Sequence, residues 1–574
     1  MRMFLLKLVP AWLVSYRAGW FAGDLSAGFV TALMVVPQSM AYAILAGLPP
    51  VCGLYASVLP VLVYAWLGTS SVQSVGTMAI TSVMMGGVLA EQRPASPEEA
   101  VAIACGLALL CGTILLGAAL LRLGSLTSLI SRPVLSGFTT GSAVMIAWSQ
   151  LPYLLGPRAS AQTLAGLPVP DPRIDSSLLG LGACLALWLA GPIILRLRQR
   201  LRLSLALADL GLRLVPFAVI VVAALVVYLA GADAIRLVGE VPSGLPRLGL
   251  HWITGAGLQQ PFERAIALLP SALSMAVMVF LFGQSSALAL GRKRQERVDS
   301  NRELLALGAS NLAASISGGL PVTGSLSRSA VNAQAGASSQ LAGVIAVLVL
   351  LAALATSTRW LGLLPMPALA ATIMVAVVGM MEWHALAGLW RIDRRDTLAF
   401  LATALAVILL GFNAAMALGV ALSLVLLGPS WRRGRLLSKL LSAPATALEV
   451  VPFDLTAPGE AFRGSVGVAC RIEGALVFVN AERTIDTLRA RLVASPLPAA
   501  LILDLSGLTD LDASAFKVLD ELAHHLEAAG LRLVLVRPQT ALDARLRRDG
   551  DLLASLGVPV FDTPEAARHA AGRG

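Results

Sequence analysis

The sequence predicts an all-α polytopic membrane protein that carries a small α/β domain at its C-terminal end. Three observations support this fold class. The chain of 574 residues is 57% hydrophobic and 13% charged, and this charged fraction is about half that of an ordinary soluble domain. The mean hydropathy is +0.79, and apolar runs long enough to cross a bilayer recur from about residue 26 to residue 428. Beyond that point the composition becomes that of a soluble protein.

The predicted domains follow this change in composition. Residues 1–430 are expected to form the membrane domain, residues 431–463 a basic linker, and residues 464–574 the soluble domain. In the soluble part, the apolar strands Leu501–Leu505 and Leu531–Val536 flank a segment whose apolar residues recur at helical spacing. Alternating strands and helices predict a small α/β fold.

Basic residues are concentrated in a few segments, and the loops between them are poor in cations. The formal net charge is +10. Cation-rich loops stay on the cytoplasmic side of a membrane, so we interpret the charge as a sign of topology and expect no nucleic-acid partner. The clusters are Arg2–Arg17, Arg196–Arg213, Arg292–Arg302, Arg391–Arg395 and Arg432–Arg435.

Motifs for cofactor, metal and nucleotide chemistry are missing from the sequence. The five cysteines form no CxxC pair, and no P-loop, HExxH or Rossmann motif occurs. We therefore expect no cofactor, no metal site and no catalytic residues, and we do not expect an enzyme.

The segment Pro321–Asn332 places a single cation, Arg328, between long apolar runs and just after a Pro/Gly-punctuated break. An arginine at membrane depth is costly and nearly always faces a cavity or a partner. No acidic residue lies between Glu303 and Glu382. A buried cation beside a fresh helix start predicts an anion-binding site. The alternatives are that Arg328 reaches the membrane interface or neutralises the carbonyls at a helix end.

The membrane part contains a weak internal sequence repeat. Val36–Ala43 resembles Phe282–Ala289, and at similar distances beyond them lie Ser74–Thr77 and Pro321–Gly324, two Gly-containing breaks before short apolar stretches. Paired interrupted segments in two halves indicate a transporter's midplane site. Half-helices starting near Thr77 and Ser325 would point two N-termini, with their free N–H groups, at one anion.

Neutral polar residues complete the predicted site. Gln38, Gln284, Ser325 and Ser327 offer donors, and Tyr42 is a candidate wall of the pocket. Each has a plainer alternative: the glutamines as hydrogen bonds between helices, the serines as helix N-caps, and the tyrosine as a packing residue.

Several of these stretches resemble the SulP anion transporters, also called sulfate permeases, and the tail resembles the STAS domain that the family carries. The resemblance covers nearly the whole chain. The stretches that carry it are Gly23–Gly28 with Val36–Ala43, Gly47–Tyr55, and Pro321–Asn332.

The resemblance implies a fold of fourteen segments in a 7+7 inverted repeat, with a core and a gate as in uracil-type permeases. The anion would lie between the broken third and tenth segments. With fourteen segments, all basic clusters fall on one side, and both termini are cytoplasmic. The resemblance also implies a homodimer in lipid, in a bacterial inner membrane, that moves small anions by alternating access. Its site residues match Gln38, Tyr42, Thr77, Met78, Ala79, Leu326, Ser327 and Arg328.

Two departures from the family pattern bear on mechanism. Thr77 stands where the family often has proline, and we expect its hydroxyl to cap the half-helix. Gln284 stands where many members have a glutamate or aspartate, and Gln38 stands where some bacterial members have a glutamate. These acids are the usual candidates for binding a coupling proton or sodium ion. A glutamine cannot be protonated near neutral pH. We therefore expect an exchanger or facilitated carrier of sulfate, bicarbonate, chloride or dicarboxylates. An anion channel or an anion-sensing protein on the same scaffold is the alternative.

In the STAS-like tail, Ser514 matches the position that is phosphorylated in soluble anti-sigma-factor antagonists, which share this domain. A phosphate would suit a helix start. The plainer interpretation is that Ser514 is an N-cap.

Overall fold

The fold is seen in a computed structural model. It describes residues 10–124, 131–156, 163–164, 167–168, 174–201, 205–230, 235–239, 244–245, 248–249, 261–294, 296, 298–356, 359–379, 381, 389, 393–431, 448–454, 466–472, 474–478, 480–481, 484–485, 488, 500–528, 530–547 and 551–571. Most of the predicted linker and the predicted start of the tail domain at Gly464 lie outside these residues.

The described residues in the N-terminal three quarters of the chain are mainly helical. The helices of six or more described residues in this part are α1 (Phe21–Leu45), α2 (Pro50–Tyr55), α3 (Leu59–Leu67), α4 (Ala79–Gln92), α5 (Pro97–Leu120), α6 (Arg132–Leu155), α7 (Ile174–Leu201), α8 (Leu205–Ala230), α9 (Pro261–Arg294), α10 (Ser300–Ile316), α11 (Leu326–Gln334), α12 (Leu341–Thr356), α13 (Met366–Val378), α14 (Arg394–Leu410) and α15 (Phe412–Trp431). Two single turns, Ala11–Val14 and Arg359–Gly362, are also helical. Short strands interrupt them: β1 (Val75–Gly76), β2 (Thr163–Leu164), β3 (Leu167–Pro168) and β4 (Thr323–Gly324).

Five helical stretches in the described residues are long and apolar enough to cross a membrane. They are Ala18–Leu45, Pro50–Leu67, Pro97–Leu120, Asp175–Arg200 and Glu263–Gly291. By contrast, α4 and α11 have 14 and 9 residues, which rise only about 21 and 14 Å at 1.5 Å per residue. Neither helix spans a bilayer alone, as the short apolar stretches in the sequence predict.

Small residues let some of these helices approach closely. Helix α10 packs on α5 and α3. A Cβ atom on Gly112 of α5 would lie 2.8 Å from the carbonyl oxygen of Gly308 on α10, so the crossing requires glycine. Close backbone approach through small residues is the usual way in which membrane helices associate.

The tail is an α/β domain. Its elements are β5 (Leu448–Asp454), β6 (Val466–Ile472), β7 (Gly474–Leu476), β8 (Ala500–Asp504), β9 (Leu508–Leu511), α16 (Ala513–Ala528), β10 (Arg532–Val536), α17 (Ala541–Arg547), β11 (Val560–Phe561) and α18 (Pro564–Ala571). Five of the strands form one sheet with the order β11-β10-β8-β6-β5. Strands β6, β8, β10 and β11 run parallel, and β5 is antiparallel to β6.

The apolar pattern of the tail explains its core. Strand β8 is buried along its whole length, and Phe516, Leu519, Leu522 and Leu526 of α16 pack into the same core. Strand β5 precedes Gly464, so the sheet takes in part of the predicted linker. Sequence reasoning missed this strand.

The described chain forms two compact units. One comprises residues 1–127, 142–381 and 410–413, and it contains β1, β4 and the half-helices α4 and α11. The other comprises residues 128–141, 382–409 and 414–574. The α/β domain therefore forms one unit with most of α14 and α15 and with the start of α6.

Candidate functional site

A two-stranded ribbon joins the two half-helices. Strands β1 and β4 pair antiparallel, with Val75 opposite Gly324 and Gly76 opposite Thr323. The N–H of Ser325 extends the ladder by donating to the carbonyl of Ser74, at 3.2 Å. Helix α4 begins three residues after β1, and α11 begins two residues after β4. The ribbon therefore places two helix N-termini at neighbouring points, each with free N–H groups and a partial positive charge.

Arg328 lies in the first turn of α11 and is only 2% exposed. Its Nε donates to the Ser74 hydroxyl at 2.9 Å, and its Nη1 donates to the Thr77 carbonyl at 3.4 Å. Its Nη2 has no hydrogen-bond partner among the described residues. A Cβ on Gly76 would lie 2.9 Å from Nη2, so glycine leaves room for the guanidinium beside the ribbon. The contacts thus hold the side chain and leave one donor nitrogen free.

The charge of Arg328 is not neutralised by a neighbouring acid. Within the described part of the chain, no carboxylate comes within ion-pair distance of the guanidinium. A buried cation without a counter-ion has a strongly unfavourable self-energy, and a small anion would relieve it. Arg328 therefore fits the predicted anion site better than a structural salt bridge.

The remaining predicted residues around α11 divide by exposure. Ser325 is the N-cap, and its hydroxyl accepts from the Arg328 N–H at 3.5 Å and pairs with the Ser327 hydroxyl at 3.3 Å. Leu326 and Ser327 are exposed. The expected N-cap role of Ser325 is thus observed, while Ser327 adds a second hydroxyl at the same helix start.

On the other half-helix, Thr77 is fully buried and Ala79 is 1% exposed, while Met78 is half-buried. The expectation that the Thr77 hydroxyl caps α4 is wrong. Met78 is the N-cap residue, no side chain caps the helix, and Thr77 Oγ1 has no partner among the described residues. A hydroxyl one position before the N-cap does not reach the first-turn N–H groups, so it stays available.

Gln38 and Tyr42 lie half-buried on α1. The phenol of Tyr42 lies in the neighbourhood of the Arg328 guanidinium. Gln284, on α9, uses its Nε2 to donate to the Ser300 hydroxyl on α10 at 2.6 Å, while its Oε1 is unpaired among the described residues. The contact that the structure shows for Gln284 is therefore the alternative considered above, a hydrogen bond between helices.

Buried carboxylates fix the loops beside the ribbon, and sequence reasoning missed them. Glu303 is fully buried and accepts from the Tyr64 hydroxyl at 2.8 Å and from the Thr69 N–H and hydroxyl at 2.8 and 2.6 Å. Asp24 is also fully buried and accepts from the N–H groups of Ser338 and Ser339 at 2.7 and 3.0 Å. The available signal was the presence of acids at the edges of apolar runs.

The start of α16 in the α/β domain contacts two membrane helices of the same unit; we call these contacts the α16 joint. The N–H of Ala513 donates to Asp396 Oδ2 of α14 at 3.0 Å, and the Arg132 N–H of α6 donates to the Ser514 hydroxyl at 3.3 Å. Arg132 Nη1 also lies 3.3 Å from Glu521 Oε1. Ser514 is 3% exposed, so the predicted phosphosite is buried within the α16 joint.

Asp512 caps α16, which corrects the expectation that Ser514 is the cap. Its Oδ1 accepts from the Ala515 N–H at 2.7 Å, and its Oδ2 accepts from the Phe478 N–H at 2.6 Å. Burial, and then the nearby Asp396 carboxylate, raise the pKa of Asp512 to about 7. The α16 joint therefore contains an acid that titrates near neutral pH.

Comparison with known proteins places this geometry in a family. The model of the sulfate permease family matches residues 21–403, and the STAS domain model matches residues 461–567. The chain belongs to the sulfate permease family. Its domain order confirms the fold class predicted from the sequence: a helical membrane domain followed by an α/β STAS domain.

Three similar proteins illustrate the family. A chloroplastic sulfate transporter, 4.1, of Arabidopsis thaliana is 31% identical over 557 residues, which cover 94% of this chain and 78% of that protein. The murine solute carrier 26 member A9 anion transporter, solved in the inward-facing state, has a TM-score of 0.65 at 22% identity. The structural match covers 100% of this chain and 95% of the murine chain. The transmembrane domain of a cyanobacterial bicarbonate transporter, BicA, has a TM-score of 0.59 at 22% identity and covers 70% and 98%.

These findings settle the class of the protein. It is a multi-pass integral membrane protein of an anion transporter family, and the prediction of a transporter rather than an enzyme is confirmed by its relatives. The number of segments, fourteen, stays a prediction.

Proposed function

We propose that the protein exchanges small anions by alternating access and that the anion binds between the N-termini of α4 and α11. The class of substrate comprises sulfate, bicarbonate, chloride and dicarboxylates. The observation that carries the proposal is the Arg328 guanidinium, buried, without an acidic partner among the described residues, and with Nη2 free. Helix N-termini and one cation together attract an anion without selecting its identity.

The site that we propose combines both half-helices with α1. The anion would contact Arg328, the Thr77 hydroxyl and the N–H of Ala79 in the first turn of α4, with Tyr42 beside them. The wider set adds Gln38, Met78, Gln284, Ser325, Leu326 and Ser327.

Uptake of labelled sulfate into proteoliposomes tests this function. We expect saturable uptake that rises when a counter-anion is trapped inside, and competition by bicarbonate, chloride, succinate or fumarate identifies the preferred substrate. The Arg328→Ala variant should take up sulfate much more weakly than the wild type. Currents too fast for a carrier would instead indicate a channel, and anion binding without flux would indicate a sensor.

We further propose that exchange proceeds without proton or sodium coupling. Glutamines at positions 38 and 284 leave these positions without an ionisable group. Uptake should therefore respond weakly to an inward proton gradient when chloride and voltage are clamped. Steep stimulation of uptake by an inward proton gradient would contradict this part of the proposal.

The charge pattern supports the proposed orientation. Basic clusters would lie on the cytoplasmic side of a bacterial inner membrane, together with both termini and the STAS domain. We propose a homodimer, which crosslinking and light scattering in detergent would test. Cysteine labelling from each side of the membrane would test the topology.

The STAS domain is proposed to regulate the membrane domain or to support its assembly, through the α16 joint. The joint has polar contacts on two membrane helices, so it can transmit a change in the domain to them. Deletion of the residues after 440 should reduce flux or dimerisation. A sharper test exchanges the charges of Arg132 and Glu521: each single reversal should lower flux, and the double reversal should restore it. Undiminished flux in the deletion would refute a regulatory role.

A further inference from the structure

Gln73 lies two residues before β1 and is 2% exposed. Its main-chain carbonyl is fixed, because Gln340 Nε2 donates to it at 3.1 Å. Its side chain is different: neither Nε2 nor Oε1 has a hydrogen-bond partner among the described residues. An entire amide is thus buried without partners in the segment that also supplies Ser74 and Thr77 to Arg328.

The place of this amide is defined by Gly324. A Cβ built on Gly324 would collide with Gln73 Nε2, so the amide lies against β4, two residues before α11 begins. Gly324 is also the partner of Val75 in the ribbon. The Gln73 amide is therefore part of the structure that joins the two half-helices, and glycine at position 324 makes room for it.

An unpaired buried amide is a costly choice at this position. A buried polar atom without a partner lowers the stability of the fold, whereas an apolar side chain of the same shape does not. The neighbours Val72 and Val75 show that apolar side chains fit this segment. Buried polar groups that remain unpaired call for a specific explanation, and a ligand is one that the surroundings of Arg328 support.

We propose that Gln73 is a specificity-determining residue of the anion site and that it favours small oxyanions over halides. This inference rests on the proposed function. Arg328 attracts all monovalent anions through the same Coulomb term, so it cannot separate bicarbonate from chloride. A directional neutral group can: the amide N–H donates to an anion oxygen, and the amide carbonyl accepts the O–H of bicarbonate. A halide uses the donor only.

The test compares two monovalent anions in full-length Gln73→Leu protein. The leucine keeps the approximate volume and removes both unpaired atoms. We expect the melting temperature in detergent to stay the same or rise. We expect the ratio of bicarbonate to chloride affinity, measured by anion-induced thermal shift and by competition for uptake, to fall at least tenfold.

Gln340→Leu is the matched control. Gln340 is equally buried, but its Nε2 donates to the carbonyls of both Ser70 and Gln73. This variant should melt at a lower temperature and keep the wild-type anion ratio. An unchanged ratio in Gln73→Leu, or a melting temperature lowered as far as in Gln340→Leu, would overturn the inference and make Gln73 structural.

The two proposals fail in different ways. If wild-type protein transports no anion under any gradient, the exchanger proposal fails, and the thermal-shift ratio still decides the role of Gln73. If the wild type transports and the ratio is unchanged in the variant, only the role of Gln73 is refuted.

Discussion

Replacing Arg328 by alanine should weaken transport of divalent anions more than that of monovalent anions. At about 4 Å and an effective dielectric constant of about 20, a pair of unit charges interacts by about 4 kcal/mol, and a dianion gains about twice as much. The guanidinium of Arg328 is buried and has no acidic partner among the described residues, so little of this interaction is cancelled locally. The affinity for sulfate should therefore fall at least about tenfold further than that for chloride, since tenfold corresponds to about 1.4 kcal/mol.

The assay is the KM for each anion in proteoliposomes, with purified variants matched for reconstituted amount. Arg328→Lys keeps the positive charge but loses the planar guanidinium, whose separate nitrogens bind Ser74 and Thr77. This variant should therefore retain part of the preference for dianions. Arg200→Ala removes an exposed cation at the end of α7 and should leave both KM values unchanged. Equal losses for sulfate and chloride in Arg328→Ala, or no loss, would make Arg328 part of the scaffold.

Three further predictions concern other parts of the chain. Glu303→Gln should lower the free energy of unfolding by about 2–3 kcal/mol, because the three donors that now bind a carboxylate would face an amide, whose NH2 group cannot accept a hydrogen bond. Thermal melting measures this, with the exposed Glu91→Gln variant as the control. Equal melting temperatures for the two variants would refute the prediction. Burial raises the pKa of Asp512 from 3.8 to about 7, so its contribution to stability is fully present below pH 4 and is lost as the pH rises to about 7, by up to about 4 kcal/mol. The melting temperature of the wild type should therefore fall between about pH 4 and pH 7, and that of Asp512→Asn should fall less over the same range. Parallel profiles of the two proteins would contradict the assignment. Ser514→Glu introduces a negative charge near Asp396 and should separate the contacts of the α16 joint. Limited proteolysis should then cut the STAS domain faster in this variant than in Ser514→Ala. Equal rates in the two variants would contradict the role of these contacts.

Local signals carried the prediction of the half-helices. Gly-containing breaks before short apolar stretches indicated starts near Thr77 and Ser325, and α4 and α11 begin at Ala79 and Leu326. Arg328 stood out because a lone cation between apolar runs is expensive. Both signals depend only on neighbours in the chain.

Long-range pairing was beyond sequence reasoning. Ser74 and Arg328 are 254 positions apart, and strands of two residues have no periodic pattern that predicts the β1–β4 ribbon. The unpaired state of Gln73 depends on what surrounds its amide, which the sequence does not show. The prediction that the Thr77 hydroxyl caps α4 was wrong for the same reason. The helix begins one position later than that role requires, so Met78 is the N-cap residue and the Thr77 side chain does not reach the first-turn N–H groups.

The ribbon has a consequence for the direction of transport. Main-chain hydrogen bonds couple the start of α4 to the start of α11, so the groups around Arg328 keep their spacing when that part of the chain moves. In an alternating-access cycle this binding site would offer the bound anion the same contacts in the inward-open and the outward-open state. Its preference among ions would then be the same on both faces of the membrane, and the electrochemical gradients of the ions would decide the direction of net transport.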